Sequence, residues 1–175
     1  MNRLFCILAA LCLAGCVSKP AATYMLRPHE ELPSEVIDDG SFTTIFLAGT
    51  IDMGNSADWQ YALYEEFTRM DGRYILFNPR QEHWDASRPG EMDYQVRWEL
   101  EHLEKADIII MYIAGGSKSP ISLLETGLHA RSGKMHVICE EDFYRFDNVR
   151  ITCDFYDIPL HTSMDDFRTE VLSNL

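Results

Sequence analysis

From Phe42 onward the chain alternates short apolar runs with amphipathic segments. Apolar runs of strand length predict five strands: Thr43–Ala48, Tyr74–Asn78, Asp107–Ile113, Met135–Glu140 and Val149–Thr152. The third is apolar almost throughout, as expected of a strand covered on both faces. Helical spacing appears between and after them, over Ala57–Met70, Glu91–Ala106, Pro120–Ser132 and Met164–Asn174. Ser163 with Asp166 three residues later marks the start of the last helix, and Gly133 marks the end of the third. Such alternation predicts a parallel α/β sheet flanked by helices, with ligands bound beyond the carboxyl ends of the strands. The loops to inspect are therefore 49–56, 79–89 and 114–119.

The segment before this body has a different character. Met1–Cys16 carries Arg3, an apolar stretch from Leu4 to Ala14, and small residues leading to a cysteine, the build of a secretory signal. Leu13-Ala14-Gly15-Cys16 resembles the lipobox of bacterial lipoproteins, which implies a signal over residues 1–15 and a lipidated (palmitate-bearing) Cys16. The absence of aspartate after Cys16 resembles outer-membrane lipoproteins, so the expected place is the envelope, on the outer membrane facing the periplasm. Residues 16–41, rich in Pro, Glu and Ser, read as a lipidated cysteine and tether, and 42–175 as one domain. Cys139 and Cys153 would then be the thiols left in the body; they could pair in an oxidising envelope or stay buried and free.

Composition narrows the partners. Of the 175 residues, 28 are acidic and 15 basic, a formal charge of −13, which repels nucleic-acid polymers but not a small nucleotide. No apolar run reaches the ~20 residues of a spanning helix. Neither a C-x-x-C pair nor H-E-x-x-H is present, and no metal or other cofactor is expected.

Two carboxylates stand out against the helical pattern. At ~100° per residue, Met92, Val96, Leu100, Leu103 and Ala106 form one apolar stripe, with Glu99 in its margin. In the next helix the apolar face is Ile121, Leu124 and Leu128, and Glu125 lies ~40° round from Ile121. An acid at a core margin is costly unless paired or used. Each could cap a backbone group or meet an arginine. Together, on helices bracketing the central strand, they could face one pocket, and paired carboxylates are the apparatus of glycosidic-bond cleavage.

These residues resemble the nucleoside 2-deoxyribosyltransferase-like proteins. The likeness runs through Phe46–Ile51 into Asp58-Trp59-Gln60, then Phe77–Arg80 with Trp84, Gln95–Leu100, Ala106–Ile110 and Leu124–Gly127. It implies a flavodoxin-like fold of five parallel strands. It also implies Glu125, two residues before Gly127, as nucleophile, and Glu99, eight before Asp107, as the acid at the base. Many members have aspartate where this chain has Ser119, and the well-studied ones have aspartate where it has Glu99; these departures leave the base preference and substrate class open and the nucleophile's position intact. The resemblance further implies homo-oligomers whose sites a neighbour completes.

The expected function is N-glycosyl transfer or hydrolysis on a (deoxy)nucleoside or nucleotide through a glutamyl-glycosyl ester. Gly49, Thr50 and Ile51 would form the first ligand loop, with Gly49 and Gly54 allowing close approach. Asn78 and Arg80 would meet the ligand or simply turn the chain after a strand. Ser117, Lys118 and Ser119 would cradle a phosphate, or Ser119 would cap the helix. Trp59, Trp84 and Trp98 fit packing better than base stacking, and His102, His129 and His136 read as structural. The competing classes are a non-catalytic envelope lipoprotein binding a nucleotide-like ligand or a protein partner, and an N-glycosidase acting on NAD or nucleoside monophosphates.

Overall fold

The computed structural model describes residues 19–52, 56–85 and 87–174. The proposed signal, Cys16 and Gly54 lie outside the described residues. The chain runs β1 (Ala22–Leu26), α1 (Ser34–Ile37), β2 (Thr43–Gly49), α2 (Trp59–Phe67), β3 (Arg73–Phe77), α3 (Glu91–Lys105), β4 (Ile108–Ile113), α4 (Pro120–His129), β5 (Met135–Cys139), α5 (Phe146–Phe155), β6 (Leu160–His161) and α6 (Met164–Glu170). All neighbouring strands are parallel, in the order β1-β3-β2-β4-β5-β6. Without β1, the remaining order is that of a flavodoxin-like sheet.

The sheet therefore has six strands rather than five, and two assignments change. Val149–Thr152 is not a strand but part of α5, because the apolar positions Val149 and Cys153, four residues apart, are buried on one helical face. The sheet's final strand is instead the short Leu160–His161. Ala22–Leu26, assigned from sequence to the tether, pairs along the outer edge of β3 from Ala22↔Arg73 to Leu26↔Phe77. Arg73 secures this segment by pairing with Asp39 at 2.7 Å and donating to the Pro20 carbonyl at 2.9 Å. The folded domain thus extends back at least to Ala22.

Two apolar layers clothe the sheet. One joins Leu63 and Phe67 of α2 and Phe167 of α6 to Ile45, Leu47 and Ile110. The other joins Trp98 and Leu103 of α3, Ala130 after α4, and Val149 and Cys153 of α5 to Phe46, Ile109 and Met111. Asp58 caps α2 by accepting from the Tyr61 N–H at 3.0 Å, and Ser163 caps α6 by accepting from the Asp166 N–H at 3.1 Å. Cys139 and Cys153 are free thiols in the core, pushed up by burial to about 12 and about 11, which leaves them protonated and inert.

Of the stripe expected to face the core on α3, Leu103 and Ala106 do so, but its first part, like the stripe of α4, faces outward. Met92, Val96 and Leu100 are exposed, as are Ile121, Leu124 and Leu128, each of the last three at 58%. The buried side of α3 holds Glu91, Gln95, Trp98 and Leu103; that of α4 holds Ser122, Glu125, Thr126 and His129. Both helices thus turn polar side chains toward the sheet, α3 in its first half and alongside Trp98 and Leu103.

Candidate functional site

The strand order reverses between β2 and β4, and beyond their carboxyl ends the structure opens a cleft of about 1340 Å³. Its walls include Gly49, Thr50 and Ile51 after β2, Arg80 and Trp84 after β3, Glu99 on α3, and Ser117, Ser119 and Glu125 at the start of α4. This is where an open α/β sheet places its ligand, because loops on either side of the reversal diverge and leave a crevice.

The first loop is held tightly. Gly49 has φ +135°, and a side chain there would run into the Tyr112 carbonyl of β4. Its glycine is therefore required by the neighbouring strand rather than by a ligand. Trp59 is buried and donates its indole N–H to the Thr50 carbonyl at 2.9 Å, so it packs rather than stacks a base. Trp98 is likewise buried, whereas Trp84 stands on the rim.

Asn78 serves the turn, and Arg80 stands at the cleft. Asn78 is fully buried and does not line the cleft; its Oδ1 accepts from the Arg80 N–H at 2.9 Å, which turns the chain after β3. The Arg80 guanidinium borders the cleft but is occupied by the β2–α2 loop. It donates to Ser56 Oγ at 2.8 Å, the Ala57 carbonyl at 3.0 Å and Gln60 Oε1 at 3.2 Å. Its job is to clamp that loop.

Three hydroxyls meet where β2 and β4 end. Thr50 Oγ1 lies 2.6 Å from Ser119 Oγ, which lies 2.7 Å from Ser117 Oγ, which donates to the Ala114 carbonyl at 2.7 Å. The Ala114 N–H donates to Thr50 Oγ1 at 3.0 Å. Ser119, in the left-handed region at φ +37°, makes no side-chain cap to α4, so its hydroxyl belongs to this cluster. Glu140 fixes the same loop, accepting from Tyr112 Oη at 2.6 Å and from the Gly115 N–H at 2.7 Å.

The two carboxyls border the cleft from adjacent helices. Glu125 is 7% exposed, and among the described residues none donates to it or pairs with it. Burial, with the Glu99 carboxylate as the second cause, pushes its carboxyl up to about 8. Glu99 is half-buried and also held above the usual carboxylate range by burial, against the pull of the N–H it accepts from Gln95 at 2.8 Å. Like charges in a poorly solvated cleft favour a pair that keeps one proton near neutrality.

Sequence reasoning missed the polar row that supports Glu99. Glu91, Gln95 and Glu99 recur at intervals of four residues on one helical side, a polar row legible in the sequence. In space Gln95 Nε2 also donates to the Pro79 carbonyl at 2.8 Å, while Gln81 Nε2 donates to both Gln95 Oε1 at 2.7 Å and Glu91 Oε1 at 2.9 Å.

The family whose description is nucleoside 2-deoxyribosyltransferase like matches residues 43–143, more than half of the chain and the stretch that contains both carboxyls and the hydroxyl cluster. The chain belongs to the nucleoside 2-deoxyribosyltransferase-like family. The match begins at β2, so β1 and its following loop precede the part shared with the family. A crystal structure of a conserved protein from Enterococcus faecalis V583 is similar at 16% identity and a TM-score of 0.56, covering 77% of this chain and 99% of that one. At that identity the likeness carries the fold. Curated proteins yield no match.

Proposed function

We propose that this chain cleaves the base–sugar bond of a (deoxy)nucleoside or nucleotide, with Glu125 as nucleophile and Glu99 as acid. The observation that carries the reading is a pair of partly buried carboxyls on adjacent helices, bordering one cleft and engaged by no cation among the described residues. An acid held this way raises the energy of the protein unless it is used. The resting pair keeps its one proton on Glu125, and in the reacting form that proton sits on Glu99: a Glu125 carboxylate oxygen bonds to the anomeric carbon as the carbon–nitrogen bond breaks, and the departing base takes the electron pair and the proton from Glu99. Glu99, now ionised, accepts the proton of an incoming base or water, whose attack at the same carbon releases Glu125. A second base gives transfer; water gives hydrolysis. Without a 2′-hydroxyl, positive charge builds more easily at that carbon, so deoxynucleosides are the first substrates to test.

The Thr50–Ser117–Ser119 hydroxyls, with Lys118 on the rim, are the groups available to a 5′-hydroxyl or phosphate. We place a second copy of the chain against the outward stripes of α3 and α4. These stripes line two neighbouring helices ~22 and ~15 Å long and leave six large apolar side chains exposed. Met92, Val96 and Ile121 belong both to this face and to the cleft wall, so a partner seated there would help close the site. The lipobox supports attachment through Cys16 to the outer membrane.

Incubating the full chain with deoxynucleosides, deoxynucleoside monophosphates or NAD, each with a free acceptor base, tests the reading. Base release or exchange that disappears in Glu125→Ala is the expected result. Unchanged substrates throughout would overturn it in favour of a binding module.

A further inference from the structure

The hydrogen bonds around Glu99 have a forced direction. Glu91 is 3% exposed and accepts from His29 Nε2 at 2.8 Å as well as from Gln81, contacts that hold its carboxyl below the ordinary range. Arg88 adds a pair at 3.3 Å. An ionised carboxylate accepts only, so Gln81 must turn its NH₂ toward Glu91. That same NH₂ reaches Gln95 Oε1, which must therefore accept. At the other end the Pro79 carbonyl, also an acceptor only, requires the NH₂ of Gln95. Both ends of the chain agree, and the remaining N–H of Gln95 falls on Glu99 Oε1.

We infer that Gln95 is a positioning residue of the site: braced through Gln81 and Glu91 by His29, it fixes Oε1 of Glu99 as an acceptor and leaves Oε2 to carry the proton. The inference rests on the proposed role of Glu99 and adds to it which oxygen delivers the proton and what orients it. It also gives a purpose to the loop after β1, which precedes the family match. His29 stands at φ +67°, its ring stacked 4.1 Å from that of Tyr94 and its N–H donating to Tyr94 Oη at 3.0 Å. A non-glycine residue held in the left-handed region by two separate contacts is placed there by its surroundings.

A carboxyl titration that needs no turnover tests this. Glutamate ¹³C carboxyl signals are followed against pH in the full chain carrying Glu125→Gln, which removes the titrating group facing Glu99 from α4; Glu99→Gln assigns the signal. Gln95→Leu takes away the N–H that stabilises the Glu99 carboxylate, and its midpoint should rise by about one pH unit. Gln81→Leu, which frees the Gln95 amide to turn, should move it the same way by less, and His29→Ala by least. If Gln95→Leu does not fold, Gln81→Leu decides. A Glu99 midpoint that stays in place in a folded Gln95→Leu or Gln81→Leu chain overturns the inference. Absence of base release from any nucleoside would instead defeat the glycosyl reading, leaving the titration result standing.

Discussion

The two faces of the sheet each carry an apolar layer but differ in what their helices add to it. On one, α2 and α6 turn apolar side chains inward: Leu63, Phe67 and Phe167 are fully buried against β2, β3 and β4. On the other, α4 buries Ser122, Glu125, Thr126 and His129 while Ile121, Leu124 and Leu128 face out, and α3 buries Glu91 and Gln95 while Met92, Val96 and Leu100 face out. The first face follows the hydrophobic effect within one chain. The second adds to an apolar core, which holds Trp98 and Leu103 of α3, a stretch that buries polar groups and leaves apolar ones exposed. An apolar stripe says where apolar contact is made in the working molecule, which need not be against the helix's own sheet. That inversion falls on the two helices that carry the paired carboxyls of the proposed site.

Substitutions on the two faces should therefore fail in different ways. The largest effect belongs to Glu125→Ala: base release should fall by at least ~10³-fold, as for loss of a nucleophile, with the fold retained. Leu63→Ala, on the other face, should cost ~2–5 kcal/mol of stability in denaturant unfolding, with activity retained in the molecules that remain folded. Equal loss of stability from both would erase the distinction.

A stability test sharpens the same contrast. The folded chain holds the Glu125 proton up to about 8, whereas an unfolded chain releases it in the ordinary carboxyl range. The folded state thus binds more protons across that interval, and stability falls as pH rises through it, then levels off. Glu125→Gln removes this loss. It should melt with the parent at pH 4 and above it by at least ~3 °C at pH 8; a difference that stays constant with pH would deny the burial.

Smaller effects follow at the pair and at the outward stripes. The pH dependence of kcat/KM should be bell-shaped, falling in acid where both carboxyls are protonated and in base where both are ionised. Leu124→Asp with Leu128→Asp should halve the sedimenting mass while changing the stability of the single chain by no more than ~0.5 kcal/mol. A parent that already sediments as one chain would remove the second copy.

The inverted face also explains what the sequence disclosed and what it withheld. Four strands and four of the five helices of the body were legible because Ile108–Ile113 and its neighbours are apolar runs of strand length, and Ser163 caps where its spacing says it should. Val149–Thr152 misled because four β-branched and polar residues fit either period, and only the longer window with Cys153 shows the helix. Ala22–Leu26 was hidden because an edge strand of intermediate burial has no strong alternation. Glu99 and Glu125 were legible as acids beside apolar stripes, although the stripe of α4 and the first part of that of α3 point away from the sheet and the acids toward it. Asn78 and Arg80 were ambiguous by nature, since polar residues after a strand serve a turn or a ligand equally well. Gln95 carries no charge to draw notice; its importance lies in partners distant in sequence.

Trapping the glycosyl-enzyme tests the central claim most directly. The full chain is quenched during reaction with a 2-fluoro-deoxynucleoside, whose fluorine slows breakdown of the ester, and its peptides are weighed. One sugar added to the peptide containing Glu125, absent in Glu125→Ala, is the predicted result. Base release with the sugar on another residue, or undiminished release by Glu125→Ala, would contradict it.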